Sequence, residues 1–125
     1  MAEQTTSHKK AEMSCLENAG RLPASAYDGA TMYTTLSPCD MCTGACILYK
    51  VKRVVVGENK NFVGGEQYLQ NRGIEVVVLQ NKECIATMDK FIREKPELWY
   101  ALTLLCFAPW RYDAYRCHRN EDIAV

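Results

Sequence analysis

A predicted strand runs straight into a predicted helix that carries two cysteines three residues apart. Thr31–Leu36 is rich in β-branched and aromatic residues, which is typical of a strand. Ser37 and Pro38 then match a helix start, with serine as the N-cap and proline in the first helical position. Cys39 and Cys42 therefore fall in the first turn of this helix, and both sulfurs project to one side of it.

Strands and helices alternate along the chain, which predicts an α/β fold. The two later strands are nearly continuous apolar runs, as expected of a parallel sheet covered on both faces. The predicted helices comprise residues 11–22, 37–49, 66–71 and 82–95, the last capped by Asn81, and the further strands comprise residues 53–57 and 74–79. Residues 100–119 contain apolar side chains without a clean period and are not assigned to a core element.

The charge balance argues against a long nucleic acid as the ligand. The chain has 125 residues, 48% of them hydrophobic, which predicts one domain with a core of its own. Fifteen lysines and arginines balance fifteen acidic residues. Binding to a duplex or a long strand usually demands a basic stripe, and none is visible. We therefore expect a small, neutral or weakly charged substrate and no nucleic-acid partner.

The chain carries the features of a protein from a reducing compartment. Its first residues lack the apolar core of a signal peptide, and the seven cysteines do not have the spacing of a secreted disulfide framework. The longest apolar run, residues 101–110, is about half of the ~20 residues that a membrane span needs. These features predict a cytoplasmic or nuclear protein with no membrane partner.

The cysteine pair and Glu12 upstream of it fit most of a pattern found in zinc-dependent deaminases. The positive end of a helix lowers thiol pKa values and so favours the thiolates that zinc binds. A catalytic zinc site adds a third protein ligand and lowers the pKa of water to about 7. Glu12 would then carry a proton from water to the substrate, which is hydrolytic deamination. A redox pair or a structural zinc half-site is the alternative interpretation of the cysteines.

The third zinc ligand is not settled by the sequence. The pattern requires a histidine two residues before the glutamate, where this chain has Lys10, and a lysine ammonium has no free lone pair. His8 lies two residues too early and would need local unwinding, because on a regular helix it would point about 200° away. Cys46 is a further candidate, although a buried core thiol is the simpler interpretation. The third ligand is left open between His8, Cys46 and none.

Several segments of the chain resemble the fungal cytosine deaminases of the cytidine and deoxycytidylate deaminase superfamily. Residues 11–22 are similar to the glutamate helix of that family and residues 33–45 to its zinc helix. The similarity continues through residues 55–59 and 68–73 and resumes at residues 120–123. It implies a three-layer α/β/α sandwich with a mixed sheet, a zinc cofactor, a homodimer, and conversion of cytosine to uracil and ammonia in pyrimidine salvage.

The resemblance also implies roles for individual residues. By this resemblance Cys39 and Cys42 bind zinc, His8 is the candidate third ligand, and Glu12 transfers the proton. The residues expected to contact the pyrimidine base are Ala11 and Ser37 through backbone groups, Asp122 through a hydrogen bond, and Phe62, Trp99 and Ile123 as its cover.

The chain departs from the family pattern at both ends. Ten residues precede Ala11 where the family has a helix and a two-strand hairpin, so we expect a truncated deaminase domain whose strand Thr31–Leu36 is an open edge. Residues 100–119 resemble a translated intron inserted between a partial deaminase domain, residues 1–99, and a closing segment, residues 120–125. The alternative functions are an inactive remnant that at most binds zinc or a dimer partner, and another nucleobase or nucleoside deaminase.

Overall fold

The structure is a computed structural model that describes residues 10–20 and 22–107. His8, Asp122 and Ile123 lie outside the described residues, so their predicted roles stay predictions. The elements are α1 (Ala11–Asn18), a short 3-10 helix (Ala24–Tyr27), β1 (Thr31–Leu36), α2 (Asp40–Leu48), β2 (Arg53–Glu58), α3 (Glu66–Asn71), β3 (Glu75–Val78), α4 (Lys82–Glu94) and α5 (Pro96–Phe107).

The described strands form one parallel sheet in the order β1-β2-β3. Thr34 pairs with Val56, and Val56 pairs in turn with Val78. The predicted α/β class and the parallel pairing are confirmed. Within residues 10–20 and 22–107, β1 pairs only with β2 and is therefore an edge, as expected. Because the described strands are all parallel, the mixed character of the sheet stays a prediction.

The sheet is covered by helices on both faces. Met32, Val54 and Val56 pack on one face against Leu16 of α1, Cys46 of α2 and Leu69 of α3, and each of these side chains is buried. Burying one such apolar side chain stabilises the fold by roughly 1.5–3 kcal/mol. Helix α4 packs on the other face of the sheet. It lies so close to β2 that a Cβ added at Gly57 would be 2.6 Å from the Cys84 sulfur. This arrangement gives the three layers that were predicted.

Two predicted helix boundaries are wrong. Helix α1 ends at Asn18 rather than Leu22, because the chain turns at Gly20 with a φ of +81°. Helix α2 begins at Asp40, with Cys39 rather than Ser37 as its N-cap. The Ser37 hydroxyl is used elsewhere, because it accepts a hydrogen bond from the Gly64 N–H at 2.9 Å. A contact between residues 27 positions apart therefore overrides the local capping preference.

The predicted cap of α4 is confirmed. The Asn81 side-chain oxygen accepts hydrogen bonds from the N–H groups of Glu83 and Cys84 at 2.9 and 3.1 Å. Helix α5 follows directly and continues through residues 100–107, the start of the segment that the sequence left unassigned. The division of the chain at residues 99 and 119 stays a prediction. In the described part of the chain, no helix has the length and apolar character needed to cross a membrane.

Candidate active site

A cavity of about 400 Å³ opens where β1 ends, between the starts of α1 and α2 and the pair α4–α5. Ligands of open α/β sheets commonly bind at this position, outside the carboxyl ends of the strands. The residues that were predicted for the site and that line the cavity are Ala11, Glu12, Ser37, Cys39, Phe62 and Trp99. The fold therefore brings together side chains that are up to 88 residues apart in sequence, from Ala11 to Trp99.

Glu12 supplies a buried carboxylate to this cavity. It lies in the first turn of α1, and only 6% of the residue is exposed to solvent. The Thr34 hydroxyl lies 2.9 Å from Glu12 Oε1 and donates a hydrogen bond to it. Thr34 was not among the residues predicted for the site. The alternation of β1 was the available signal, because it places Thr34 on the same face as the buried Met32.

Cys39 and Cys42 form a buried, hydrogen-bonded thiol pair beside Glu12. Cys39 is 7% exposed and Cys42 is fully buried. The pKa of Cys39 is lowered to about 5, chiefly because the Cys42 thiol donates a hydrogen bond to its sulfur, and the charge of Lys10 contributes. The same hydrogen bond, together with burial and the nearby Glu12 charge, raises the pKa of Cys42. Both shifts make Cys39 the thiol of the pair that loses its proton more readily, and thiolate is the form that binds zinc.

A glycine loop fixes the backbone just before the cysteines. The Pro38 carbonyl accepts hydrogen bonds from the Gly65 N–H at 2.9 Å and from the Thr43 hydroxyl at 3.2 Å. Gly64 lies so close that an added Cβ would be 1.9 Å from the Pro38 oxygen. Only a residue without a side chain allows this approach. The loop therefore sets where α2 begins and, with it, where Cys39 lies.

Aromatic side chains close one side of the cavity. Phe62 is 8% exposed and packs with Cys39 and Cys42, while Trp99 of α5 meets it edge-to-face with ring centroids 6.5 Å apart and an interplanar angle of 84°. These two rings were predicted as cover for a base, and they are brought together here. The residues that line the cavity and were not predicted for the site are Lys10, Thr34, Thr35, Leu36, Thr87, Met88, Phe91 and Thr103.

Backbone groups of two predicted residues remain available at the cavity wall. Ala11 is the first residue of α1, and a first-turn N–H has no partner within its helix. Ser37 donates its own N–H to the Glu58 carbonyl at 3.2 Å and uses its hydroxyl to accept from Gly64. Its carbonyl accepts no hydrogen bond from residues 10–20 or 22–107. Both residues line the cavity.

The described residues fit two positions of a zinc site and not a third. Cys39 and Cys42 supply sulfur donors, but no set of three His, Cys, Asp or Glu side chains that could hold a metal occurs among residues 10–20 and 22–107. Lys10 lines the cavity where the deaminase pattern requires histidine. Cys46 is 1% exposed within the apolar core, and burial raises the pKa of its thiol to about 11, which agrees with a neutral core residue.

Comparison with known proteins identifies the family of this arrangement. A family model described as the cytidine and deoxycytidylate deaminase zinc-binding region matches residues 2–58. The chain is 62% identical over 88 residues to a cytosine deaminase of Candida albicans. The aligned residues are 70% of this chain and 59% of that protein. The chain is 40% identical over 74 residues to a deoxycytidylate deaminase of Enterobacteria phage T4, covering 58% of this chain and 38% of the phage protein.

The chain is also similar, at lower identity, to proteins named for the deamination of adenosine. A tRNA-specific adenosine deaminase of Bacillus subtilis is 34% identical over 76 residues, which is 54% of this chain and 47% of that protein. The chain therefore spans less than two thirds of the length of each of these relatives. The matched region contains Glu12 and Cys39, which line the cavity, and the neighbouring Cys42, so residues 2–58 are the cytidine and deoxycytidylate deaminase zinc-binding region of this chain.

Proposed function

We propose that this chain catalyses the zinc-dependent hydrolytic deamination of cytosine to uracil and ammonia. The observation that carries the proposal is that a buried carboxylate, Glu12, and a thiolate of low pKa, Cys39, line one cavity at the ends of the strands. The 62% identity to a protein named cytosine deaminase supports this base over the others that the family deaminates. The neutral net charge of the chain agrees with an uncharged substrate.

Glu12 carries the proton in this reaction. When bound by Cys39 and Cys42, zinc supplies the Lewis acidity that makes water nucleophilic at neutral pH. The Glu12 carboxylate accepts a proton from the attacking water and delivers it to the amino group of the base. A C–O bond forms at C4, the C4–N bond breaks, and the amino group leaves as ammonia. No electrons are exchanged with a further reactant, so no redox partner is needed.

The remaining wall of the cavity binds and orients the base. Phe62 and Trp99 present apolar ring surface that excludes water and suits a flat heterocycle. The Ala11 N–H and the Ser37 carbonyl provide a donor and an acceptor for the polar edge of the base. A few fixed polar groups in an apolar cleft are what specificity for a small ligand requires.

Zinc content tests the metal part of the proposal directly. We expect one zinc ion per chain by native mass spectrometry, and a loss of at least about tenfold in zinc affinity in Cys39→Ser, because a hydroxyl stays protonated where a thiolate binds zinc. The control is Cys84→Ser. The Cys84 thiol lies on α4, packs against Gly57 of β2 and does not line the cavity. Equal zinc content in wild type and Cys39→Ser would show that this pair does not hold the metal.

Turnover tests the enzymatic part of the proposal. Release of ammonia and loss of cytosine absorbance by the zinc-loaded wild type would support it. Zinc binding without turnover would instead favour a catalytically inactive member of the family, a second candidate that Lys10 supports because it stands where a ligand is needed. Parallel assays with cytidine, deoxycytidylate and adenosine would show whether another base or nucleoside is the substrate, as the names of the more distant relatives suggest.

A homodimer is the proposed assembly. Met41 and Leu48 lie seven residues apart on one face of α2 and are 52% and 73% exposed, and Tyr68 of the neighbouring α3 is 52% exposed. An exposed apolar group of this kind is typical of an interaction surface. A second copy of the chain would cover it, because α2 also carries the zinc ligands and a dimer would stabilise their position.

Leu48→Asp is expected to weaken this dimer at least tenfold, because the charge would be buried in an apolar interface. Sedimentation equilibrium on wild type and variant measures the dissociation constant. Leu79→Asp is the matched control, since Leu79 is 56% exposed next to β3 and away from α2. A wild-type chain that sediments as a monomer, or a variant that dimerises as tightly as wild type, would contradict the proposed interface.

We further propose a cytoplasmic or nuclear location and a role in pyrimidine salvage. The described cysteines Cys15, Cys39, Cys42, Cys46 and Cys84 are free thiols, which agrees with a reducing compartment. Hydrolysis of free cytosine yields uracil, a base that salvage reactions can use. Fractionation of cells that express the tagged chain would test the location independently of activity.

A further inference from the structure

Thr34 lines the cavity and has a hydroxyl that the proposed reaction does not use. It lies in the middle of β1, and 9% of the residue is exposed. Its hydroxyl lies 2.9 Å from Glu12 Oε1 and 3.0 Å from the Leu36 carbonyl oxygen. A threonine hydroxyl has a single proton to donate, so these two acceptors share one donor. The hydroxyl is thus held between the strand backbone and the carboxylate.

The hydrogen bond distinguishes the two oxygens of Glu12. Thr34 donates to Oε1, and the Cys42 thiol also makes a hydrogen bond with this carboxylate. Oε2 receives no oxygen or nitrogen donor from the side chains of residues 10–20 and 22–107, and we take it as the oxygen that exchanges a proton with water and substrate. Because β1 is paired along its length with β2, the hydroxyl is carried on a rigid element. A carboxylate fixed in this way loses rotational freedom before the reaction begins.

Packing alone does not explain a threonine at this position. A buried strand site on an apolar face is equally well filled by valine, which has the same shape and no polar atom to satisfy. Met32 occupies the preceding inward position of the same strand and packs in the apolar core. The hydroxyl of Thr34 therefore requires a polar partner, and Glu12 Oε1 and the Leu36 carbonyl oxygen are the two acceptors within reach.

We propose that Thr34 is a positioning residue for Glu12, which binds Oε1 and thereby aims Oε2 at the reacting atoms. This inference rests on the proposed deaminase function and adds a residue that acts through Glu12 without touching the substrate. It predicts that the Thr34 hydroxyl matters for the rate of the chemical step and not for the binding of cytosine.

The first test is steady-state kinetics on zinc-loaded wild type, Thr34→Val and Thr34→Ser. Loss of the hydroxyl in Thr34→Val is expected to lower kcat by about 10- to 100-fold with KM changed by less than about twofold, because a misaimed carboxylate is costly only in the reaction. Thr34→Ser keeps the hydroxyl and is expected to recover kcat to within about threefold of wild type. Thr31→Val, the same substitution on the same strand but outside the cavity, is the control.

The second test does not depend on activity. Urea unfolding of wild type, Thr34→Val, Glu12→Leu and the double variant forms a cycle that measures the coupling of the two side chains. We expect Thr34→Val to change the unfolding equilibrium constant at least about tenfold less in the Glu12→Leu background than in wild type. Additive effects would overturn the proposal, whether or not the protein turns over cytosine.

The kinetic outcomes separate this inference from the proposed function. If the wild type turns over cytosine and Thr34→Val does so with the same kcat, the proposed function stands and the role of Thr34 is refuted. If Thr34→Ser is as slow as Thr34→Val, the hydroxyl is not the active feature, and the inference is again refuted. If the zinc-loaded wild type does not release ammonia, the proposed function fails, and the role of Thr34 in catalysis fails with it.

Discussion

Glu12→Gln is expected to lower kcat for cytosine by about 10³-fold while leaving KM and zinc content within about twofold of wild type. Glutamine has the shape of glutamate, and its amide oxygen can still accept the hydrogen bond that Thr34 donates to Oε1. The amide cannot take up and release a proton, however, and a positioned acid–base group typically contributes 10²–10⁴-fold. Ammonia release measured against cytosine concentration gives both kinetic constants.

Glu17→Gln is the matched control for this substitution. Glu17 lies on the same helix, α1, but is exposed and does not line the cavity. It is therefore expected to keep wild-type kinetics. A Glu12→Gln variant that retained more than about a tenth of the wild-type kcat would show that another group moves the proton, and the assignment of Glu12 would have to be abandoned.

Gly64→Ala is expected to destabilise the protein by about 3 kcal/mol and to lower its zinc affinity, because forcing atoms into a packed region displaces its neighbours. The new Cβ would lie 1.9 Å from the Pro38 oxygen and 2.7 Å from the Pro38 carbonyl carbon. Both are backbone atoms, so no side-chain rotation can relieve the overlap. Either the loop or the start of α2 must move, and Cys39 directly follows Pro38.

Gly44→Ala, on the same helix as Cys42, is expected to stabilise the protein, in contrast to Gly64→Ala. An added Cβ at Gly44 meets no atom within 4 Å, and the residue lies inside α2. Alanine in a helix interior is favoured over glycine by about 0.5–1 kcal/mol, so the monomer of this variant should be more stable than the wild-type monomer. Urea denaturation followed by circular dichroism measures both changes. A Gly64→Ala protein as stable as wild type would show that the tight approach to Pro38 is not needed.

Local chemistry made part of the site predictable. Cys39 and Cys42 are three residues apart and adjoin a helix start, so their proximity follows from chain geometry alone. Glu12 was identified through its place in a known pattern, and the cavity confirms that it lies near the cysteine pair. Asn81 was predicted as a cap and acts as one, because its partners are the next residues of its own helix.

Contacts between residues far apart in sequence could not be predicted in this way. Ser37 has the residue type of an N-cap, yet its hydroxyl accepts from Gly64, which lies on a loop after the next strand. The role of Thr34 was missed because its partner, Glu12, is 22 residues away on another element. In both cases one polar side chain has several acceptable partners, and the sequence does not state which of them the fold brings within 3 Å.

The sequence by itself determined the α/β class, the strand at Thr31–Leu36 and the cysteine pair, because each depends on residue type and short spacing. Glu12 was predicted from its place in a known pattern. Only the tertiary structure decided that Thr34 holds Glu12 and that a glycine loop fixes Pro38. These are distance relations of a few ångströms between separate elements. They exist only after the parallel sheet has aligned its strand ends and the helices have packed against it.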